Sequence, residues 1–486
     1  MHIEETAEQI YQKCEGDRYT YLDRARTSAR LSIPYIMPED GFNAHSRLET
    51  PFQGIGARGV NNLASKLLLA LLPPNAPFFR LNVDDYILSQ EGAPEEALTQ
   101  IDNTLQRIED ALMDEVSAQS YRVGIHEALK HLIVTGNALL YMPDEGGLRV
   151  FHLDRYVIKR DPMGNVMTIA TKETIAYKAL PEEMQEALSG HSKDKTDNCD
   201  LYTAVVRCCD GFKVYQDIKG IQMPTAGMYK EDNLPYIPLR FSKIDGEDYG
   251  RGYVEEYLGD LQSLEKLTQA IVEGSSAAAK VLFLVNKFND FRIASETINA
   301  IRDRLGHAFL LTSNVVRKAE RVTAEEIRML SQELESSLGG LYSLLSNELQ
   351  LPMINRLLTV MNKNKRIPKL PKDIVNPVVI TGVEALGRGN DLQKLDLFLA
   401  GAAQVVGAQA VASHVNVTEY FKRRATALGI KTGGLVKTEQ DLMMEQQRMA
   451  QAAQQEQAMK SMGGAAVKAV SDQVTNLSKQ QPSEEV

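Results

Sequence analysis

The apolar positions Ile327, Leu330, Leu334, Leu338, Leu341, Leu345 and Leu349 recur in steps of three and four. That spacing keeps them on one side of an α-helix and predicts one continuous stripe over 323–351. The start is marked. Thr323 and Glu326 form a capping box, and Val322 and Ile327 flank it as a hydrophobic staple. At ~1.5 Å per residue the helix spans roughly 40 Å, longer than an ordinary globular helix needs. Gly339-Gly340 in its middle predicts a kink, because paired glycines weaken a helix. Pro352 removes a backbone donor at the far end. On these residues alone, a girder and a buried helix of a large α-helical domain both remain open.

Around this stripe the pattern changes twice. Residues 4–30 read as an amphipathic helix, closed by Pro34 and Pro38. Residues 60–72 are a strongly apolar helix stopped by Pro73-Pro74, and 78–83 look like a strand. Helices follow near 94–118 and 121–135. From Ala138 the runs become short and β-rich, separated by turn signals at Gly146-Gly147 and Gly164-Asn165. A short helix over 181–189 leads to a second β patch. In it Asp210-Gly211 between alternating runs marks a hairpin. After residue 250 the helical period returns, over 253–281 and again over 291–311. The short β-prone connector VLFLVNKFND separates these two helices. Ser275–Ala279 is a run of small side chains, which permits a close helix contact. Beyond Pro371 the stretch ITGVEALGRGNDLQKLDLFLAGAAQVV opens another small helical unit. The Gln-, Ala- and Met-rich end from Lys437 reads as a polar helix fraying into disorder. The pattern specifies an α+β chain, mostly helical.

Composition narrows the functions. The 486 residues allow about two to four domains and sizeable cores. A formal charge of −10 is not the footprint of a surface that grips nucleic acid throughout, though it allows DNA to pass without sticking. Cys14, Cys199, Cys208 and Cys209 form no C-x-x-C pair, which suits a reducing assembly compartment. The N-terminus is unlike a signal peptide. The most apolar run, Leu67–Leu72, is too short to span a bilayer, so no membrane is expected.

Candidate chemistry is sparse. Gly54-Ile55-Gly56-Ala57-Arg58-Gly59 matches G-x-G-x-x-G, the element a dinucleotide-binding enzyme would use. TPFQ precedes it where a strand is required, and no clean β-α-β unit follows, so a close-packed turn into a helix is the simpler reading. His126 and His131 stand five apart on a helix, face different ways and make no metal pair. No catalytic constellation, cofactor or metal site is expected. The segment before the girder differs: Arg317, Lys318 and Arg321 fall within five positions, just before a helix N-terminus. Singly this is solvated charge. Repeated around an axis it would make a strong local field.

Several long stretches together resemble one family. They are PFQGIGARGVNNLASKLLLALLPP, YRVGIHEALKHLIVTGNALLYM, YIPLRFSKIDGEDYGRGYVEEYLGDLQSLE, ERVTAEEIR with LGGLYSLLSNELQLP, and GVEALGRGNDLQKL. They are similar to the portal, or head-to-tail connector, of short-tailed phages (podoviruses) of the autographivirus type. The resemblance implies a twelve-fold ring (a dodecamer) at one capsid vertex, with a central channel for packaging and ejecting double-stranded DNA. It implies a wing over 1–250, a first stem helix over 251–282, a clip over 283–290 and a second stem helix over 291–312. A tunnel loop over 313–322 would follow, carrying Arg317, Lys318 and Arg321 to the DNA, with Arg321 the foremost. The long wing helix, kinked at Gly339 and Gly340, and its extension would cover 323–370. A crown would cover 371–436, and a C-terminal barrel or disordered tail 437–486. The implied partners are other copies of the chain, the DNA, the major capsid and scaffolding proteins, the terminase, a tail adaptor and internal core proteins. The departure is VLFLVNKFND, which is shorter than the family's clip, so either the clip is minimal or a segment is missing there. A helical scaffold or adaptor without a channel is the rival of a different class.

Overall fold

The computed structural model describes residues 5–39, 41–42, 45–74, 78–82, 95–188, 198–209, 211–224, 226–280, 288–311, 324–338, 340–367, 378–381 and 388–407, with isolated positions between 415 and 448. The chain divides into two compact units, Met1–Leu386 and Gly387–Val486. In the first unit, α1 runs Ala7–Arg30 and starts on the Thr6/Gln9 capping box. Helix α2 runs Ile55–Leu71, and β1 is Phe79–Asn82. Helices α3 and α4 run Glu95–Ala118 and Tyr121–Thr135. Among the described residues the short β runs form two antiparallel sheets. β2 (Asn137–Tyr141) lies between β3 (Arg149–Phe151) and β10 (Tyr236–Arg240). A six-stranded sheet is built from β4 (Tyr156–Arg160), β5 (Val166–Ala176), β6 (Asn198–Cys208), β7 (Gly211–Ile218), β8 (Ile221–Gln222) and β9 (Gly227–Tyr229). β8 and β9 both pair with β7, at opposite ends of it.

The sheet has one face covered by α1, where Ala7, Ile10, Tyr11 and Cys14 meet Val157, Ala170, Ala204 and Tyr215. The Asp217 carboxylate on β7 accepts from the Ala7 N–H, which fixes the helix start to the sheet. The short helix α5 (Glu182–Leu188) closes a separate apolar cluster with Cys199, Leu201 and Ile218.

After a four-residue helix, α6 (Tyr253–Glu256), two helices run antiparallel: α7 (Leu258–Lys280) and α8 (Phe288–Ala308). Arg304 late in α8 donates to Asp260 early in α7 over 2.8 Å, which sets the direction. Helix α8 begins at Phe288, so Phe288–Asp290 belong to it and not to the connector. Their seam is narrow. Leu261, Leu264, Ile298, Ile301 and Leu305 are buried, while Val272 and Ile293 are exposed.

The expected 323–351 girder is not one helix. Helix α9 runs Ala324–Ser337, and α10 restarts at Leu341 and ends at Leu345. Between them Gly340 has φ 88°, a left-handed value open to glycine at little cost; Gly339 lies outside the described residues. The chain also does not stop at Pro352. A π-helical turn, Ser346–Gln350, leads into α11, Leu351–Lys363. The Leu351 N–H reaches back five residues to the Ser346 carbonyl. The widened turn ends at Gln350, and Pro352 stands in the first turn of α11.

A second departure is β11, Val378–Thr381, which pairs antiparallel with β1 where the sequence suggests the start of a helix. Residues 378–381 thus belong to the first unit. The second unit, described by itself, contains α12 (Arg388–Val406). Asp396 on it accepts from the Tyr420 hydroxyl at 2.6 Å and from Arg424 at 3.3 Å. Among the described residues no helix is long and apolar enough to cross a membrane.

Candidate functional site

Arg317, Lys318 and Arg321 lie outside the described residues. The ends that carry them, at Leu311 and Ala324, are described. At the first end α8 closes in a Schellman arrangement: the Leu311 N–H donates to Gly306 O at 2.8 Å and the Leu310 N–H to His307 O at 3.1 Å. The left-handed position of this motif normally falls to glycine. Here it is Leu310, at φ 53°. A leucine there is strained, and the surroundings hold it. Asn62 on α2 donates to the carbonyls of Phe309 and Leu310, both at 3.0 Å. The Lys66 ammonium donates to Leu310 O at 2.9 Å, and the Tyr253 hydroxyl to Ala308 O at 2.9 Å. Carbonyls that a helix end leaves unpaired are therefore taken up by α2 and α6. The cationic Lys66 also suits the negative end of the α8 dipole. Burial holds the Lys66 ammonium below the ordinary lysine range, and the Glu333 carboxylate of α9 acts against that shift. Lys66 thus answers to the helices on both sides of the basic segment.

Phe309 completes the mount. It is fully buried, edge-on to Tyr253 at 5.6 Å and tilted against Tyr257 at 5.8 Å. Its ring lies on Gly59, where a Cβ would stand 2.5 Å from Phe309 Cγ. A Cβ at Gly56 would meet Leu31 O at 2.5 Å. The G-x-G-x-x-G motif therefore packs helix against helix. Gly54 caps α2, residues 45–51 ahead of it form no strand, and nothing in this geometry cradles a dinucleotide.

Two other stretches that the sequence singled out meet at the foot of the helical pair. Gly136 ends α4 at φ 78°, with Arg251 and Gly252 packed against it. The Asn137 side chain exchanges two hydrogen bonds of 2.8 Å with the Gly250 backbone. This amide acts as a strand neighbour for the DYGRGY segment and sets the direction in which α7 leaves.

Sequence reasoning missed the buried cations that pin the broken helix. Arg356 on α11 is fully buried and donates to Met142 O, Asn233 and Asp144. Lys363 takes the second Asp144 oxygen at 2.6 Å. The Lys363 hydrogen bond, with Arg356 in support, holds the Asp144 carboxyl below its usual range. Arg240 on β10 pairs with Glu348 in the π-turn at 2.8 Å. Gln350 donates to Leu71 O at 2.6 Å, capping α2. In sequence these are isolated charges and amides, indistinguishable from a solvated face.

This geometry is an antiparallel helical pair whose second helix is anchored at its end, just before the basic segment. The family described as bacteriophage head to tail connecting protein matches residues 4–288 and 286–436. The chain belongs to that family. Relatives agree along nearly the whole connector. The portal protein of Escherichia phage T7 is 39% identical over 93% of this chain and 91% of its own. That of Enterobacteria phage T3 is 39% identical over 91% and 90%. That of Pseudomonas phage phiKMV is 29% identical over 90% and 92%. The two family matches overlap at 286–288, inside VLFLVNKFND. The connector is a structural protein of the virion and not an enzyme.

Proposed function

We propose that this connector assembles into a ring, twelve-fold by the resemblance, whose central channel carries double-stranded DNA into and out of the capsid. The helical pair α7/α8 serves as the stem, and residues 313–322 line the channel as its tunnel loop. Capsid and scaffolding proteins surround the ring, the terminase drives DNA through it, and the tail adaptor docks afterwards. Internal core proteins meet it from within the capsid. Gly339-Gly340 is the joint of the long wing helix.

The observation that carries this reading is the mount at Leu310. A strained left-handed leucine is held by Asn62, Lys66 and Tyr253 immediately before the basic segment. Rigid mounting is worthwhile where a loop must meet a moving load at a fixed radius. The exposed Val272 and Ile293 on the helical pair suit contacts between copies. Arginine suits phosphate because its planar fork donates two parallel hydrogen bonds. Each such contact is weak and salt-screened, so DNA slides past a ring of them.

The test is Arg321→Ala in assembling particles. Rings should form normally while retention of packaged DNA falls, scored as the fractions of full, partly filled and empty heads. Normal filling and retention would remove Arg321 from the channel.

A further inference from the structure

A second constellation lies away from the helical pair. Glu127 and His131 stand four apart on α4 and share a face, the i,i+4 relation that His126 and His131 lack. His152, at the end of β3, brings its ring to 4.5 Å from that of His131, edge to face. One donor atom from each of the three residues lies within 4.8 Å of the other two. His131 is 2% exposed, and its Nδ1 is sealed from solvent with no hydrogen-bond partner among the described residues. A buried polar atom without a partner is costly, and native structures rarely leave one without a reason.

We propose that Glu127, His131 and His152 form a site for a borderline divalent transition-metal ion, zinc being the representative. Two imidazoles and one carboxylate are a zinc donor set, whereas calcium and magnesium favour all-oxygen sites. Tetrahedral bonding places ligand atoms ~3.4 Å apart, so the side chains close by about 1 Å on binding. The exposed Glu127 has the freedom to do so, and buried His131 is the fixed point. The fourth position opens on the Glu127 side and takes water.

The site joins α4 to the start of the 3₁₀ turn Leu153–Arg155, which feeds β4 and the six-stranded sheet. The same turn is held from α1, where Arg18 donates to Leu153 O and Tyr156 O. A metal there is a structural clamp between the helical layer and that sheet.

Full-length protein, stripped with a chelator and desalted, is titrated with Zn²⁺ by calorimetry and melted with and without Zn²⁺. About one saturable site per chain and a raised melting temperature are expected. Glu127→Gln and His152→Asn should each weaken Zn²⁺ binding at least ~10-fold. Without metal, Glu127→Gln should melt like the parent because Glu127 is exposed; if His152→Asn does not fold, Glu127→Gln decides alone. Co²⁺ should give ligand-field absorption with no thiolate-to-metal band. Absence of saturable Zn²⁺ binding, binding unchanged in Glu127→Gln, or a thiolate band placing the ion on the cysteines would overturn the site.

Discussion

Replacing Gly59 by alanine sets two effects of known sign against each other. Gly59 is inside α2, where alanine favours the helix by ~1 kcal/mol. The added methyl would stand 2.5 Å from Phe309 Cγ and 2.9 Å from Phe309 Cβ. The position of Cβ is set by the backbone, so a rotamer change cannot clear that contact. The ring is boxed by Tyr253 and Tyr257, and the backbone is tied at Ala308, Phe309 and Leu310. Overpacking of this kind costs ~1–3 kcal/mol. Gly59→Ala should therefore destabilise by about 0–2 kcal/mol, the difference of the two terms. Phe309→Ala alone costs ~3–5 kcal/mol and leaves room for a methyl. In that background Gly59→Ala should stabilise by ~1 kcal/mol, its propensity gain alone. The cycle is measured by denaturant unfolding at one fixed chain concentration, since assembly contributes to stability. An equal stabilisation by Gly59→Ala in both backgrounds would mean that Gly59 is not a packing glycine and that the mount is looser than described.

Arg356→Lys should cost roughly 3 kcal/mol, because one ammonium cannot replace the guanidinium donors that serve Met142, Asn233 and Asp144; a stability within about 1 kcal/mol of the parent would contradict it. Asp144 has a depressed folded-state pKa, so its stabilisation is fully present above the unfolded value of about 3.9 and is lost as pH falls through the folded value. Melting temperature against pH below ~4 should thus fall less steeply in Asp144→Asn, and parallel curves would exclude this pair from the acid response. If the small-residue run of α7 packs against a neighbouring copy in the proposed ring, Ala278→Leu should strain that contact by ~1–3 kcal/mol and give fewer or heterogeneous assemblies; unchanged yield and uniformity would place that run elsewhere.

Much of the element order was legible because the periods are strong and local. The helices at 7–30, 95–118 and 121–135 and the β runs between 137 and 218 follow from apolar spacing and turn residues. The hairpin expected at 210–211 is the β6–β7 pairing, which ends with Cys208 opposite Gly211, while Asp210 lies outside the described residues. What escaped is non-local. Strand Val378–Thr381 is recognisable only through its pairing with Phe79–Asn82, from the opposite end of the unit. The continuation through Pro352 depends on a π-turn, which no hydrophobic period encodes. Arg356, Arg240 and Lys66 read as solvated charge until the fold buries them. The mount was half-visible: the small residues at Gly56 and Gly59 signal close approach, but nothing local identifies Phe309 as what approaches. Glu127–His131 was available from its i,i+4 spacing, yet the third ligand, His152, comes from another element.

Electron microscopy of the purified full-length protein decides whether it forms a ring with an open channel. Uniform rings are expected, with a central hole wide enough for a DNA duplex and the helical pairs clustered about the axis. Compact particles or solid rods without a hole would contradict it and favour a scaffold or adaptor.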